Sequence, residues 1–114
     1  MEIRYPINCR DYQDRQVIVP RTTAEHIVIQ HPEMRPYLRV LCDALESPDY
    51  VYAQERPAQT SILFYRLGFF SGSLVNEYIR VVVRYNADEH GVVITAFPIS
   101  RINTSDRRIY VRRG

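Results

Sequence analysis

The stretch Tyr78-Ile79-Arg80-Val81-Val82-Val83-Arg84-Tyr85 changes side at every residue of an extended chain. Ile79, Val81 and Val83 fall on one face, and Tyr78, Arg80, Val82 and Arg84 on the other, the two-residue period of a strand whose two faces meet different surroundings. Downstream, Asn86 opens a polar turn that ends at Gly91, and residues 92–98 and 107–112 read as further strands. Upstream, residues 50–54 and 59–67 alternate in the same way, and residues 68–76 read as a flexible hairpin connection. Everything after Pro48 is therefore strand and turn.

Before Pro48 the period changes. Met34, Tyr37, Leu38, Leu41, Cys42 and Leu45 recur at helical spacing and form one apolar stripe. Arg35, Arg39, Asp43 and Glu46 lie mainly on the other sides, and Ser47-Pro48-Asp49 stops the helix. A shorter helix is expected ahead of it. Thr22 and Glu25 have the spacing of a capping box, and the helix should run to about Gln30. His31 precedes Pro32, so it should end that helix while Pro32 starts the next. Residues 16–20 form a leading strand. Helices followed by a meander of strands predict an α+β fold: two N-terminal helices packed on a four- to five-stranded antiparallel sheet. No repeat or linker divides residues 1–114, which read as one domain.

The 114 residues are 46% hydrophobic and 25% charged, enough for one modest core and too apolar for disorder. No apolar run approaches the roughly 20 residues that span a bilayer, and residues 1–16 lack an apolar leader, so a cytoplasmic location without membrane attachment is the expectation. Cys9 and Cys42 are far apart and lack metal-ligand spacing, so neither a disulfide framework nor a zinc site is expected. Cys42 reads as a small core residue. All 15 basic residues are arginine, which removes lysine-based chemistry and leaves any anion to a permanently charged guanidinium.

The histidines are the natural place to look for proton transfer near neutral pH. His26 and His31 are five residues apart, about 140° around a helix, so they do not share a face as paired metal ligands do. His26 is either a reactive or ligand-touching group or an ordinary surface histidine. His31 reads as a residue that caps or pins the second helix, and His90 as part of a solvated turn. Thr95 interrupts the apolar run Val92-Val93-Ile94-Thr95-Ala96-Phe97, so its hydroxyl faces a groove or satisfies a backbone group. Arg80 and Arg84 share a strand face that binds phosphate or is simply solvated. Arg101, Arg107, Arg108, Arg112 and Arg113 form an arginine-rich tail over residues 101–114, suited to a nucleic-acid backbone or to plain solvation. Tyr50, Tyr52 and Tyr65 either stack bases or pack the sheet.

Glu25-His26, His31-Pro32-Glu33-Met34, the Ser47-Pro48-Asp49 stop, Tyr65-Arg66, the strand Tyr78-Ile79-Arg80-Val81-Val82-Val83 and Ile94-Thr95-Ala96-Phe97 together resemble the phage-associated barnase–EndoU–colicin–RelE-like nuclease domains. The resemblance covers roughly residues 17–100. It implies metal-independent RNA cleavage without a cofactor, by a toxin or mobile-element effector. It also implies RNA (tRNA among the candidates) and a cognate antitoxin or immunity protein as partners. Carried over, the catalytic histidine corresponds to His26 and the late-strand hydroxyl to Thr95, with Arg66 or Arg84 as the basic strand residue. In the implied reaction His26 takes the 2′-hydroxyl proton, the arginine and Thr95 hold the phosphate oxygens, and His31 or a tyrosine protonates the leaving oxygen. Arg80, Arg108, Arg112 and Tyr65 would bind RNA. The competing expectation is a catalytically inactive RNA- or protein-binding module of a mobile element or toxin–antitoxin system.

Overall fold

In the computed structural model, which describes residues 3–113, seven strands form a single sheet. In chain order they are β1 (Ile7–Arg10), β2 (Gln16–Val19), β3 (Tyr50–Glu55), β4 (Thr60–Leu67), β5 (Tyr78–Tyr85), β6 (Gly91–Ile99) and β7 (Arg107–Val111). Between β2 and β3 lie α1 (Arg21–Gln30), a 3-10 segment (Pro32–Val40) and α2 (Leu41–Glu46). The spatial order is β1-β2-β6-β5-β4-β3-β7, with β2 and β6 parallel and every other neighbouring pair antiparallel.

The α+β class agrees with the sequence, but the expected four- to five-stranded antiparallel sheet is replaced by seven strands in a mixed sheet. The N-terminal hairpin accounts for most of the difference. β1 alternates Ile7 and Cys9 with Asn8 and Arg10, but at four residues the pattern is too short to stand out. It forms because Asp11 organises the turn after it, accepting the backbone N–H groups of Gln13 and Arg15 at 2.8 and 2.9 Å and the Arg15 Nε–H at 2.7 Å. Tyr85 reaches across from β5 to donate its hydroxyl to Asp11 at 2.6 Å. The parallel join of β2 to β6 pairs Val17 with Gly91 and Ile18 with Val92, a long-range contact that no local pattern encodes. Gly91 is needed there, because a Cβ would lie 2.8 Å from both the Tyr85 ring and the Val83 side chain.

The second predicted helix is only partly α-helical. Pro36 has no N–H to give and crowds the preceding turn, and the chain runs as 3-10 until Leu41. The predicted apolar stripe is nonetheless buried, with Met34, Leu38, Leu41 and Leu45 all in the core. The capping box is absent: Pro20 stands at the N-cap of α1 and no side chain caps it. The two cysteines also depart from expectation, since Cys9 and Cys42 form a disulfide that ties β1 to α2. Their separation of 33 residues gave no hint that the fold would bring their Cα atoms to 5.0 Å.

The helices cover one face of the sheet, where Val51, Phe64, Ile79, Val81, Val83, Val93 and Ala96 meet Ala24, Ile27, Met34, Leu41 and Leu45. The other face carries no helix. There a smaller cluster of Tyr52, Leu63, Tyr65 and Val82 is flanked by Tyr50, Tyr78, Ile94, Ile99 and Ile102.

Candidate active site

The uncovered face gathers the chemistry. Strand register sets Tyr65 on β4 opposite Arg80 on β5, and Arg80 opposite Phe97 on β6. One position along, Val82 faces Thr95. Thr95 and Phe97 therefore share the face of Arg80, with Thr95 on the diagonal, about 7–8 Å away between backbones and within reach of a long side chain. The Arg80 guanidinium carbon lies 5.4 Å from the Phe97 ring centroid and 5.8 Å from that of Tyr65, so two aromatic rings flank the cation.

His31 joins this group through Phe97. Beyond Val92 the β2 partner of β6 ends, and α1 also packs against β6. The His31 backbone N–H closes the helix on the Ile27 carbonyl at 2.7 Å, while its imidazole caps nothing and stacks on Phe97, with centroids 5.1 Å apart and planes at 21°. Its Nδ1 lies 3.4 Å from a Glu33 carboxylate oxygen, and its side chain is 32% exposed. Sequence reasoning gave His31 a capping role and, through the family resemblance, a place as candidate acid. The structure gives its ring a place on the edge of the Arg80 group.

Among the described residues the Tyr65 hydroxyl, the Arg80 Nε–H and the Thr95 hydroxyl are buried without a hydrogen-bond partner, as is an oxygen of Asp106, whose charge bears on Tyr65. A buried polar group without a partner costs about 1–3 kcal/mol. Native structures keep few of them, and a cluster on one face marks a place where a ligand or solvent completes the bonding. Burial pushes the Tyr65 phenol above its usual range, opposed by Arg80 and reinforced by Asp106, so Tyr65 stays a neutral donor. Tyr78, next to Arg80 on the same face, is likewise raised by burial and by Tyr50.

The other expected site residues are dispersed. His26 is exposed on α1 and makes no hydrogen bond, ion pair or ring contact among the described residues. Arg66 belongs to the helix-covered side and is held by the Ser47 carbonyl at 3.2 Å and by Asp49 at 3.5 Å. Arg112 is bound to the same corner, donating to the Ser47 carbonyl at 2.6 Å. Arg84 lies on the uncovered face beyond Val82, with its Nε–H on the Ser61 hydroxyl at 3.3 Å. Arg108 sits opposite Tyr52 on β7, exposed and without an ion pair. Phe97 is the residue that sequence reasoning missed as a participant, because only the alternation of β6 could have placed it on the face of Arg80.

Comparison with known families places the whole described chain in one of them. The matching family is phage-Barnase-EndoU-ColicinE5/D-RelE like nuclease2, over residues 3–113. The chain belongs to it. The match takes in β1 and β7 as well as the central strands, and the family is one of barnase–EndoU–colicin–RelE-type nucleases. No curated protein and no solved structure gives a match. Among the described residues no three His, Cys, Asp or Glu side chains are grouped to hold a metal ion, and no helix is long and apolar enough to cross a membrane.

Proposed function

We propose that this nuclease-family domain cleaves RNA by attack of a ribose 2′-hydroxyl on the adjacent phosphorus, with His31 as the base and Arg80 as the phosphate-binding cation. The observation that supports it is the continuous group His31–Phe97–Arg80–Tyr65, with the unbonded Thr95 hydroxyl beside it. The Nδ1 of His31 faces Glu33, which leaves Nε2 to take the 2′-hydroxyl proton. Among the described residues no ion pair ties Arg80 to a carboxylate, so its charge is available to the phosphate oxygens as they gain charge. Thr95 donates to a nonbridging oxygen once Arg80 swings onto the phosphate. Tyr65, kept as a phenol by burial and facing Arg80 across the strands, is the candidate acid for the leaving 5′-oxygen.

Under this reading His26 lies outside the reacting group, and Arg66 holds the corner between α2 and β3. The protein's own side chains carry every step. A toxin or mobile-element effector of this kind would act on tRNA or other accessible RNA, with a cognate inhibitor as its natural protein partner. The Cys9–Cys42 disulfide suits a domain that passes through, or works in, an oxidising environment, in place of the cytoplasm that the sequence suggested.

The test is single-turnover cleavage of total tRNA and of a mixed-sequence RNA in chelator. The reading expects products with 2′,3′-cyclic phosphate ends and no cutting of DNA of the same sequence, which lacks the nucleophile. Cleavage of DNA at a comparable rate would overturn it. Binding of RNA without cutting would favour the inactive binding module.

A further inference from the structure

Beside the Arg80 group lies a cleft of about 480 Å³ lined by Tyr50, Tyr52, Tyr78, Ser100, Arg101, Ile102, Thr104 and Arg108. It has no part in the proton transfers described above. Its floor is aromatic. Tyr50 and Tyr78 are half-buried, with ring centroids 6.4 Å apart and planes at 67°, so a flat ring laid on one meets the edge of the other. Its rim is cationic. Among the described residues neither Arg101 nor Arg108 makes a hydrogen bond or ion pair, whereas Arg15, Arg66, Arg107 and Arg112 all do. Other exposed arginines, Arg35, Arg56 and Arg113 among them, are equally open, and what sets Arg101 and Arg108 apart is their place on the rim of this cleft. The segment linking β6 to β7 adds the Ser100 and Thr104 hydroxyls along the same wall.

We infer that this cleft is a nucleotide subsite, in which Tyr50 and Tyr78 stack the base next to the phosphate held by Arg80, while Arg108 and Arg101 take the flanking phosphates. The choice of ligand rests on the nuclease reading above. Tyr78 and Arg80 are alternate residues of one strand, about 6.7 Å apart, so one nucleotide can touch both. Every base has a face to stack, so the subsite accepts single-stranded nucleic acid with little sequence preference and rejects a base that remains paired in a duplex.

The experiment uses a fluorescein-labelled single-stranded deoxyoligonucleotide of mixed sequence, which 2′-hydroxyl attack cannot cut, titrated with wild type, Tyr50→Leu, Tyr78→Leu, Tyr78→Phe and Arg108→Gln. Each leucine variant should bind about 10-fold more weakly, and Tyr78→Phe should bind like wild type. Arg108→Gln should weaken binding and lower its salt dependence by about one phosphate. Leucine variants that fold and bind like wild type would overturn the subsite. Should a leucine variant fail to fold, the wild-type ring resonances decide. Stacking moves those of Tyr50 and Tyr78 when the oligonucleotide is added, and unmoved resonances overturn the proposal. Because the probe is not cut, binding through these rings in a protein that fails to cleave RNA would sink the catalytic reading alone. Cleavage of RNA with the leucine variants fully active and binding unchanged would sink the subsite alone.

Discussion

The imidazole of His31 lies on the ring of Phe97, 5.1 Å between centroids and 21° from parallel, and Arg80 lies 5.4 Å from the same ring. One phenylalanine therefore couples the end of α1 to the centre of the uncovered sheet face. This contact distinguishes His31 from His26, which is exposed on the body of the helix and touches none of the group.

Arg80 should matter to chemistry and Arg66 to stability. Arg80→Gln is expected to lower the rate of RNA cleavage about 10²–10³-fold, the loss usual for a preorganised group facing developing charge, with little change in urea midpoint. Arg66→Gln removes the bond to the Ser47 carbonyl and the Asp49 pair, and should cost about 1–2 kcal/mol in urea denaturation while folded protein still cuts RNA. The opposite pattern would reverse the two assignments.

The disulfide should carry a measurable share of the stability. It closes a loop of 33 residues, for which chain entropy predicts about 3–4 kcal/mol. Cys9→Ser with Cys42→Ser is expected to lower the unfolding free energy by about that amount, and reductant should then have no further effect. Equal stability of the oxidised wild type and the double variant would contradict the prediction.

Gly91 tests the parallel join of β2 to β6. Gly91→Ala places a methyl group 2.8 Å from both Tyr85 and Val83, so β6 must shift or the Tyr85 ring must move off Asp11. The expected cost is about 1–3 kcal/mol, read from a urea transition.

Strong alkali should unfold the protein in a way that phenylalanine substitutions soften. Tyr12, Tyr65, Tyr78 and Tyr85 are all held above the usual phenol value of 10.0, chiefly by burial, and Tyr85 also by its bond to Asp11. Above that pH the unfolded phenols lose protons that the folded ones keep. The unfolded state then binds fewer protons, and stability falls as pH rises, by up to about 1.4 kcal/mol per pH unit for Tyr85, whose phenol is raised furthest, and by less for the others, the partly exposed Tyr12 and Tyr78 above all. Below it this stability is fully present. Tyr85→Phe should reduce the slope of unfolding free energy between pH 10 and 12, and an unchanged slope would show that Tyr85 does not contribute.

Much of this was readable in the residues. The alternation of Tyr78 to Tyr85 put Arg80 and Arg84 on one face, and the stripe from Met34 to Leu45 named the core side of the helical segment, because both are local patterns of burial. What was illegible depends on distant partners. β1 is a strand because β2 pairs with it and Asp11 holds the turn, and four alternating residues are too few to announce that. The Cys9–Cys42 bond needs the N-terminal hairpin and α2 in place. Pro36 did announce a break in the second helix, and the apolar stripe masked it. At the site, Thr95 stood out as a hydroxyl in an apolar run. His31 was read as a cap because His31-Pro32 marks a helix boundary, whereas its ring partner lies 66 positions along the chain, on β6.

The most direct measurement is the single-turnover rate of RNA cleavage by folded His31→Ala and His26→Ala beside wild type, without divalent metal. His31→Ala is expected to lose about 10²–10⁴ in rate, as removal of a general base does, while His26→Ala should cut at close to the wild-type rate. Loss of cleavage in His26→Ala with His31→Ala unimpaired would contradict the account and return the base to α1.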